Sequence, residues 1–368
     1  MAANLTRFKQ AQQTLYGDID SISDASTWTP PQNSGGHNGR YLWTDAFGVL
    51  NFLTLHQLHS LSPSTHPPKA HYLTLATRLV QTIHLTLAHT RSGHPLPGST
   101  PSNPLGGGLR ISKSSATDDG QYHHYLTLWM FALNRLSKAT RNPMYNNQAI
   151  ALARAIHPRF FVRGRMVWKM DVALEEVLVS GEGGLDPFAG RVVFGLLRDA
   201  ALAERAEGVL GEEIADYERV IRRKGGQGVS GDMLDLGMTM WWAHWVEGEQ
   251  ELVERCVEMV STGELIEKKH YLNRDITSRL AFREFGTCLG LRCLAEQESQ
   301  KDRAEELKAY ADAILDCWEP HVGSSSSSSD ITPADLQPIT QVMYAAALIP
   351  GAFCGGFFGP EPPPGQST

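Results

Sequence analysis

Apolar and polar positions along this chain sort into two kinds of helical segment that alternate. In the first kind a polar opening runs straight into a stretch that is apolar nearly all round. Six segments have this form: GRYLWTDAFGVLNFLTL from Gly39, TDDGQYHHYLTLWMFALNRL from Thr117, LDPFAGRVVFGLLRDAAL from Leu185, SGDMLDLGMTMWWAHWV from Ser230, TSRLAFREFGTCLGLRCL from Thr277 and ITPADLQPITQVMYAAALI from Ile331. A helix of that composition is buried on most of its sides. The second kind covers roughly 5–15, 71–89, 146–156, 203–222, 250–260 and 303–318, with apolar residues on one face only. In the last of these, Ala304, Leu307, Ala311, Ile314, Leu315 and Trp318 recur at helical spacing. Glu305, Glu306, Lys308 and Asp312 occupy its other face. Alternation of the two kinds predicts helical hairpins stacked side by side. Six such hairpins can close into a ring, with the polar openings of the inner helices around one cavity.

One stretch departs from the helical pattern. FFVRGRMVWKM within 160–172 sets a Gly between two β-prone runs, which suits a short hairpin of strands. Elsewhere the segment lengths and the lack of regular alternation argue against a sheet. Pro, Ser and Gly mark linkers at 62–69 and 94–108, six consecutive serines fill most of 323–329, and PEPPP lies in the last residues. None of these breaks separates independent cores. The expectation is one domain over 1–354 and a disordered tail over 355–368.

Charge and cysteine usage narrow the function classes. The net charge is −7 and no basic stripe appears, so nucleic acid is not an expected partner. Cys256, Cys288, Cys293, Cys317 and Cys354 form no CxxC pair, which excludes a zinc ribbon or redox motif and fits thiols in a reducing compartment. The first twenty residues hold no apolar run of a secretory leader. No run approaches a membrane span. A soluble, cytoplasmic protein without membrane partners is expected. Walker A, GxGxxG, GxSxG, HExxH and kinase strings are all missing, so no metal and no cofactor is expected.

With these segments the chain resembles the six-hairpin, (α/α)6-barrel glycosidase-like superfamily of glycoside hydrolases, unsaturated uronide hydrolases and sugar epimerases. The likeness covers roughly 5–350 and is architectural. It implies an all-α toroid whose site lies where loops enter the inner helices, lined by acids and aromatics.

The residues at those openings supply the candidates. Asp118 and Asp119, followed by Tyr122, His123 and His124, form the densest polar cluster. Adjacent carboxylates can push one pKa up through like charge and burial, and glycosidic cleavage needs one protonated and one ionised acid. Asp119 is the expected proton donor and Asp45 the expected base or water-orienting group. Trp43 beside Asp45 offers an aromatic face for a sugar ring, flanked by His37 and Arg40. The plain alternative for Asp45 is a first-turn acid favoured by the helix dipole. Trp168, Tyr122 and His123 are expected to line the pocket, and Lys169 with Asp171 reads as an ion pair. Asp186-Pro187 reads as an ordinary helix start. Asp232 and Asp235 share one helix face, as do Arg279 and Arg283. All four are expected to hold polar groups of the substrate, or the arginines neutralise the acids. The function these residues imply is metal-independent acid–base chemistry on a carbohydrate or sugar-like small molecule. The alternatives are an isomerase or cyclase acting on an apolar molecule, and a helical scaffold.

Overall fold

A computed structural model describes residues 2–37, 39–62, 67–113, 115, 118–206, 208–261, 271–322 and 331–362. Thr117 and the serine run lie outside the described residues. The helices are α1 (Ala2–Tyr16), α2 (Leu42–Ser60), α3 (His71–Leu87), α4 (His123–Thr140), α5 (Met144–Phe160), α6 (Asp186–Ala203), α7 (Gly211–Arg223), α8 (Met233–Ala243), α9 (Gln250–Ser261), α10 (Ala281–Ala295), α11 (Ala304–Val322) and α12 (Gln337–Leu348). Each of the six all-apolar segments contains one of α2, α4, α6, α8, α10 and α12. Each one-faced segment overlaps one of the others.

The chain forms two compact units, one of residues 18–227 and 358–368, the other of residues 1–17 and 228–357. In the first, α2 packs on α3 and α4, α4 on α5 and α6, and α6 on α7. Leu42 to Leu55 of α2 are all buried, as are Tyr125 to Leu136 of α4. By contrast α3 buries one stripe of Tyr72, Leu75, Ala76, Leu79, Val80, Ile83 and Leu87. In the second unit α10 packs on α8, α11 and α12, α8 on α9, and α12 on α1. Gly237 of α8 and Gly286 and Gly290 of α10 make the α8–α10 contact a backbone-to-backbone one. A Cβ at Gly237 would fall on the Gly286 carbonyl, and one at Gly290 would lie 2.9 Å from Met240 Cβ. The five cysteines are free thiols, four of them buried.

The expected strand hairpin is present. Strands β2 (Phe161–Val162) and β3 (Arg165–Met170) pair antiparallel with Val162 opposite Arg165. Arg163 and Gly164 between them both have positive φ, 52° and 74°, the geometry of a tight two-residue turn. Two further strands complete the sheet: β1 (Gln121–Tyr122) and β4 (Val177–Glu182) both pair with β3. Gly120 permits this approach, since a Cβ there would collide with the Met170 carbonyl. The sheet thus holds Tyr122, at the mouth of α4, beside Trp168 and Lys169 of β3. Within the segment read as a tail, Glu361 pairs with Arg135 (2.9 Å) and Lys138 (2.7 Å).

Candidate active site

The start of α4 is the focus of the first unit. Tyr122, His123, His124 and Tyr125 follow one another there, and neighbouring elements bring more rings. His124 has Tyr125 at 4.8 Å, Tyr122 at 5.8 Å, Trp43 of α2 at 6.0 Å and Trp168 of β3 at 6.1 Å between ring centroids. Tyr122 also meets Trp168 edge-on at 5.4 Å, and the Tyr41 and Tyr125 hydroxyls share a hydrogen bond. Most of these rings are buried, yet the His124 side chain is 32% exposed. It is a titratable group at the open side of an aromatic basin.

Asp186, the first residue of α6, sits against both histidines. Its Oδ1 lies 3.4 Å from His124 Nδ1 and 3.5 Å from His123 Nδ1. These are charge contacts rather than short hydrogen bonds. Burial by itself would raise the Asp186 carboxyl, but the contacts and charge of the two histidines outweigh it and hold the carboxyl well below the usual carboxylate range. Burial pushes His123 down, against the pull of Asp186, and its Nε2 shares a 2.7 Å hydrogen bond with the Tyr217 hydroxyl. Gly183 makes room for this carboxylate: a Cβ there would lie 2.6 Å from Asp186 Cγ. Among the described residues, Trp43 Nε1, His123 Nδ1 and Asp186 Oδ1 are buried without a hydrogen-bond partner. Three such atoms around one basin are unusual in a folded interior.

The two carboxylates expected to do chemistry are placed differently. Asp119 is 3% exposed. It accepts from Arg91 Nη2 (3.0 Å), Arg110 Nη1 (3.3 Å) and the backbone N–H groups of Ser112 (2.8 Å) and Gly120 (3.0 Å). Those contacts tie Arg91, Arg110 and Ser112 to the mouth of α4. Asp118 is exposed. Asp45 is fully buried, with Arg40 at 3.1 Å and the Tyr41 N–H at 3.2 Å. Burial raises its pKa against the pull of Arg40. The first-turn alternative describes its position: it closes the start of α2. Arg40 in turn donates to the Pro31 carbonyl and Ser34 hydroxyl. His37 stands 4.6 Å from Tyr41 with a left-handed φ of 49°.

Lys169 forms no ion pair with Asp171 among the described residues. Asp171 accepts the N–H groups of Ala173, Glu175 and Glu176 in the turn after β3, while Lys169 Nζ lies 5.1 Å from the Tyr122 ring centroid. Asp232, Asp235, Arg279 and Arg283 all belong to the second unit. Asp232 is the N-cap of α8, accepting from Leu234 (3.0 Å) and Asp235 (3.2 Å), and also pairs with Arg283. Asp235 is exposed, so the two acids do not share a buried face. Arg279, 4% exposed, grips Glu284 through Nε–Oε1 (2.9 Å) and Nη2–Oε2 (2.6 Å), and Trp318 donates to the same carboxylate at 2.8 Å. Its guanidinium is already occupied inside the core.

Three solved structures place this architecture. An α-mannanase of glycoside hydrolase family 76 from Bacteroides thetaiotaomicron superposes with a TM-score of 0.58 at 11% identity, over 94% of this chain and 95% of that one. A sugar epimerase from a ruminal bacterium matches with a TM-score of 0.52 at 9% identity, over 93% and 98%. A family 76 glycoside hydrolase from a bovine strain of the same Bacteroides species matches with 0.54 at 10% identity, over 95% and 77%. The likeness is one of fold: all-α, built of helical hairpins as in these (α/α)6-barrel structures, as the alternating segments imply. No family model and no curated protein matches the chain. Among the described residues no helix is long and apolar enough to cross a membrane.

Sequence reasoning missed Asp186, Tyr125 and Lys113 as members of the basin. A signal for Asp186 was available: Gly183-Gly184 stands directly upstream, and paired glycines ahead of an acid mark a place where the backbone makes room.

Proposed function

We propose that this chain is a carbohydrate-active enzyme, taking a sugar or sugar-like small molecule into the aromatic basin at the mouth of α4. The observation that carries the reading is His124, open to solvent, ringed by Trp43, Tyr122, Tyr125 and Trp168, and backed by the buried Asp186. Aromatic faces suit the C–H surface of a pyranose. An acid at Nδ1 favours the tautomer with its proton on that nitrogen, which leaves Nε2 with a lone pair for the substrate. In this reading His124 is the general acid–base group and Asp186 orients it. Nε2 takes a proton from a carbon or hydroxyl of the sugar and returns one to a neighbouring atom or the other face. The net change is an isomerisation or epimerisation that consumes nothing.

Hydrolysis is the second reading, supported by the likeness to two family 76 hydrolases. It would use the Asp119 and Asp45 carboxylates as donor and base. Their burial against Arg91, Arg110 and Arg40 weighs against it, and in our reading both serve to position the loops that frame the basin. A greasy-cavity cyclase is disfavoured by the cationic groups beside the rings.

One experiment separates the readings. The protein is incubated in D2O with free aldoses, ketoses and aryl glycosides, and products are followed by mass and NMR. Deuterium entering a C–H position of a sugar, abolished in His124→Asn and reduced about 100-fold or more in Asp186→Asn, is the expected result. Gain of a water by an aryl glycoside, lost in Asp119→Asn but kept in His124→Asn, would overturn it in favour of hydrolysis.

A further inference from the structure

We propose that the molecule bound in this basin carries a negative charge, a carboxylate or a phosphate on a sugar-sized ring, recognised by Lys113 and Lys169. The proposal rests on the reading of the basin as the substrate site and adds its substrate class.

Lys113 Nζ lies 5.7 Å, and Lys169 Nζ 5.1 Å, from the centroid of the same Tyr122 ring. Two independent elements bring them there. Lys169 is in β3, whose pairing with β1 sets it opposite Tyr122. Lys113 follows Ser112, whose N–H is held by the buried Asp119. Both side chains belong to half-buried residues.

The other cations of this region are paired. Arg40 has Asp45, and Arg91 and Arg110 share Asp119. Among the described residues, Lys113 and Lys169 have no carboxylate partner. Asp171, nearest along the strand, is taken up by three backbone N–H groups. Asp186 lies between His123 and His124. A lysine ammonium is attracted to the face of a tyrosine ring. That accounts for one ammonium on Tyr122. Neither ammonium has a carboxylate among the described residues to neutralise it, and an anionic group on a bound ring within reach of both would add two attractions. The basin therefore combines a sugar-sized aromatic surface, a proton carrier and two cations that no internal acid neutralises.

The test is binding, which needs no turnover. Calorimetry reads binding directly, and intrinsic fluorescence reads the eight tryptophans, Trp43 and Trp168 of the basin among them. The probes are matched sets in the gluco, manno and galacto series: the hexose, its uronate and its 6-phosphate, each at low and high salt. The expected result is that a charged member binds tighter than its neutral parent and weakens as salt rises. The preference should fall about fivefold in Lys113→Met and in Lys169→Met, and vanish in the double variant. Lys113→Arg with Lys169→Arg should keep it. Which anion wins, uronate or phosphate, names the source of the charge. Equal binding of neutral and charged members, or a full preference in the double Met variant, would overturn the proposal. If neutral hexoses still bind and Trp168→Ala abolishes that binding, the basin reading survives without the charge. If no member binds to the folded protein, both are overturned.

Discussion

Gly183 offers a way to move Asp186 without touching a reacting group. In Gly183→Ala the new methyl would lie 2.6 Å from Asp186 Cγ and 2.9 Å from its Cβ. Carbon atoms rest at about 3.5–4.0 Å, so the carboxyl must shift by about 1 Å. The φ at Gly183 is not left-handed, so the backbone accepts alanine and the short Asp186 side chain gives way. A 3.4 Å contact with His124 widened by about 1 Å no longer orients the ring, and a misplacement of that size costs about 100-fold in rate. Stability at neutral pH should fall, through a small repacking and through the loss of the histidine contacts that favour the ionised Asp186. A second readout follows from the acid. Asp186 is held below the ordinary carboxylate range, so it binds fewer protons folded than unfolded. Its contribution to stability is present above about pH 4 and is lost as pH falls through its lowered folded value. In Gly183→Ala the folded value rises toward the unfolded one. The acid-side stability loss should then be shallower by up to about 1.4 kcal/mol per pH unit. Turnover in the deuterium-exchange assay and urea unfolding between pH 2 and pH 7 check both. Full activity, with an unchanged acid limb, would refute the claim that Asp186 orients His124.

Four further outcomes are expected. Gly237→Ala drives a methyl onto the Gly286 carbonyl, where no flexible side chain can yield, and should destabilise by about 2 kcal/mol or more. Gly195→Ala, with nothing within 4 Å of the new Cβ, should stabilise α6 by up to about 1 kcal/mol, and a matching loss there would count against the packing account. His84 accepts from Trp129 Nε1 at 3.1 Å, and burial holds it at about 4. The unfolded chain takes that proton first, so stability should drop as pH falls from about 6.5 to about 4, at up to roughly 1.4 kcal/mol per pH unit. His84→Gln should flatten this limb in urea titrations. Glu284→Ala leaves Arg279 buried without its carboxylate and should cost about 3–5 kcal/mol, whereas Arg279→Met with Glu284→Leu should recover most of it in the same assay.

The hairpins were legible because their cause is local. A helix buried on all sides must be apolar at every phase, as Leu42 to Leu55 are. A helix with one wet face must repeat its apolar residues every three or four positions, as α3 and α11 do. The β2–β3 turn was equally readable, since Arg163-Gly164 can take two positive φ values between β-prone runs. The chemistry of the openings was not legible to the same degree. Asp45, Asp119 and Asp186 all stand within four residues of a helix start, and sequence alone assigned the chemistry to the first two and an ordinary helix start to the third. What separates them is the partner that reaches each from elsewhere in the chain. Arg91 and Arg110 come 28 and 9 residues from Asp119, and His123 and His124 come from another helix to Asp186. Periodicity along the backbone therefore determined which segments are helices and which faces they bury. Only the tertiary structure decided which acid meets an arginine and which meets an open histidine, because a carboxylate's behaviour depends on charges within a few ångströms in space and not on its neighbours in sequence.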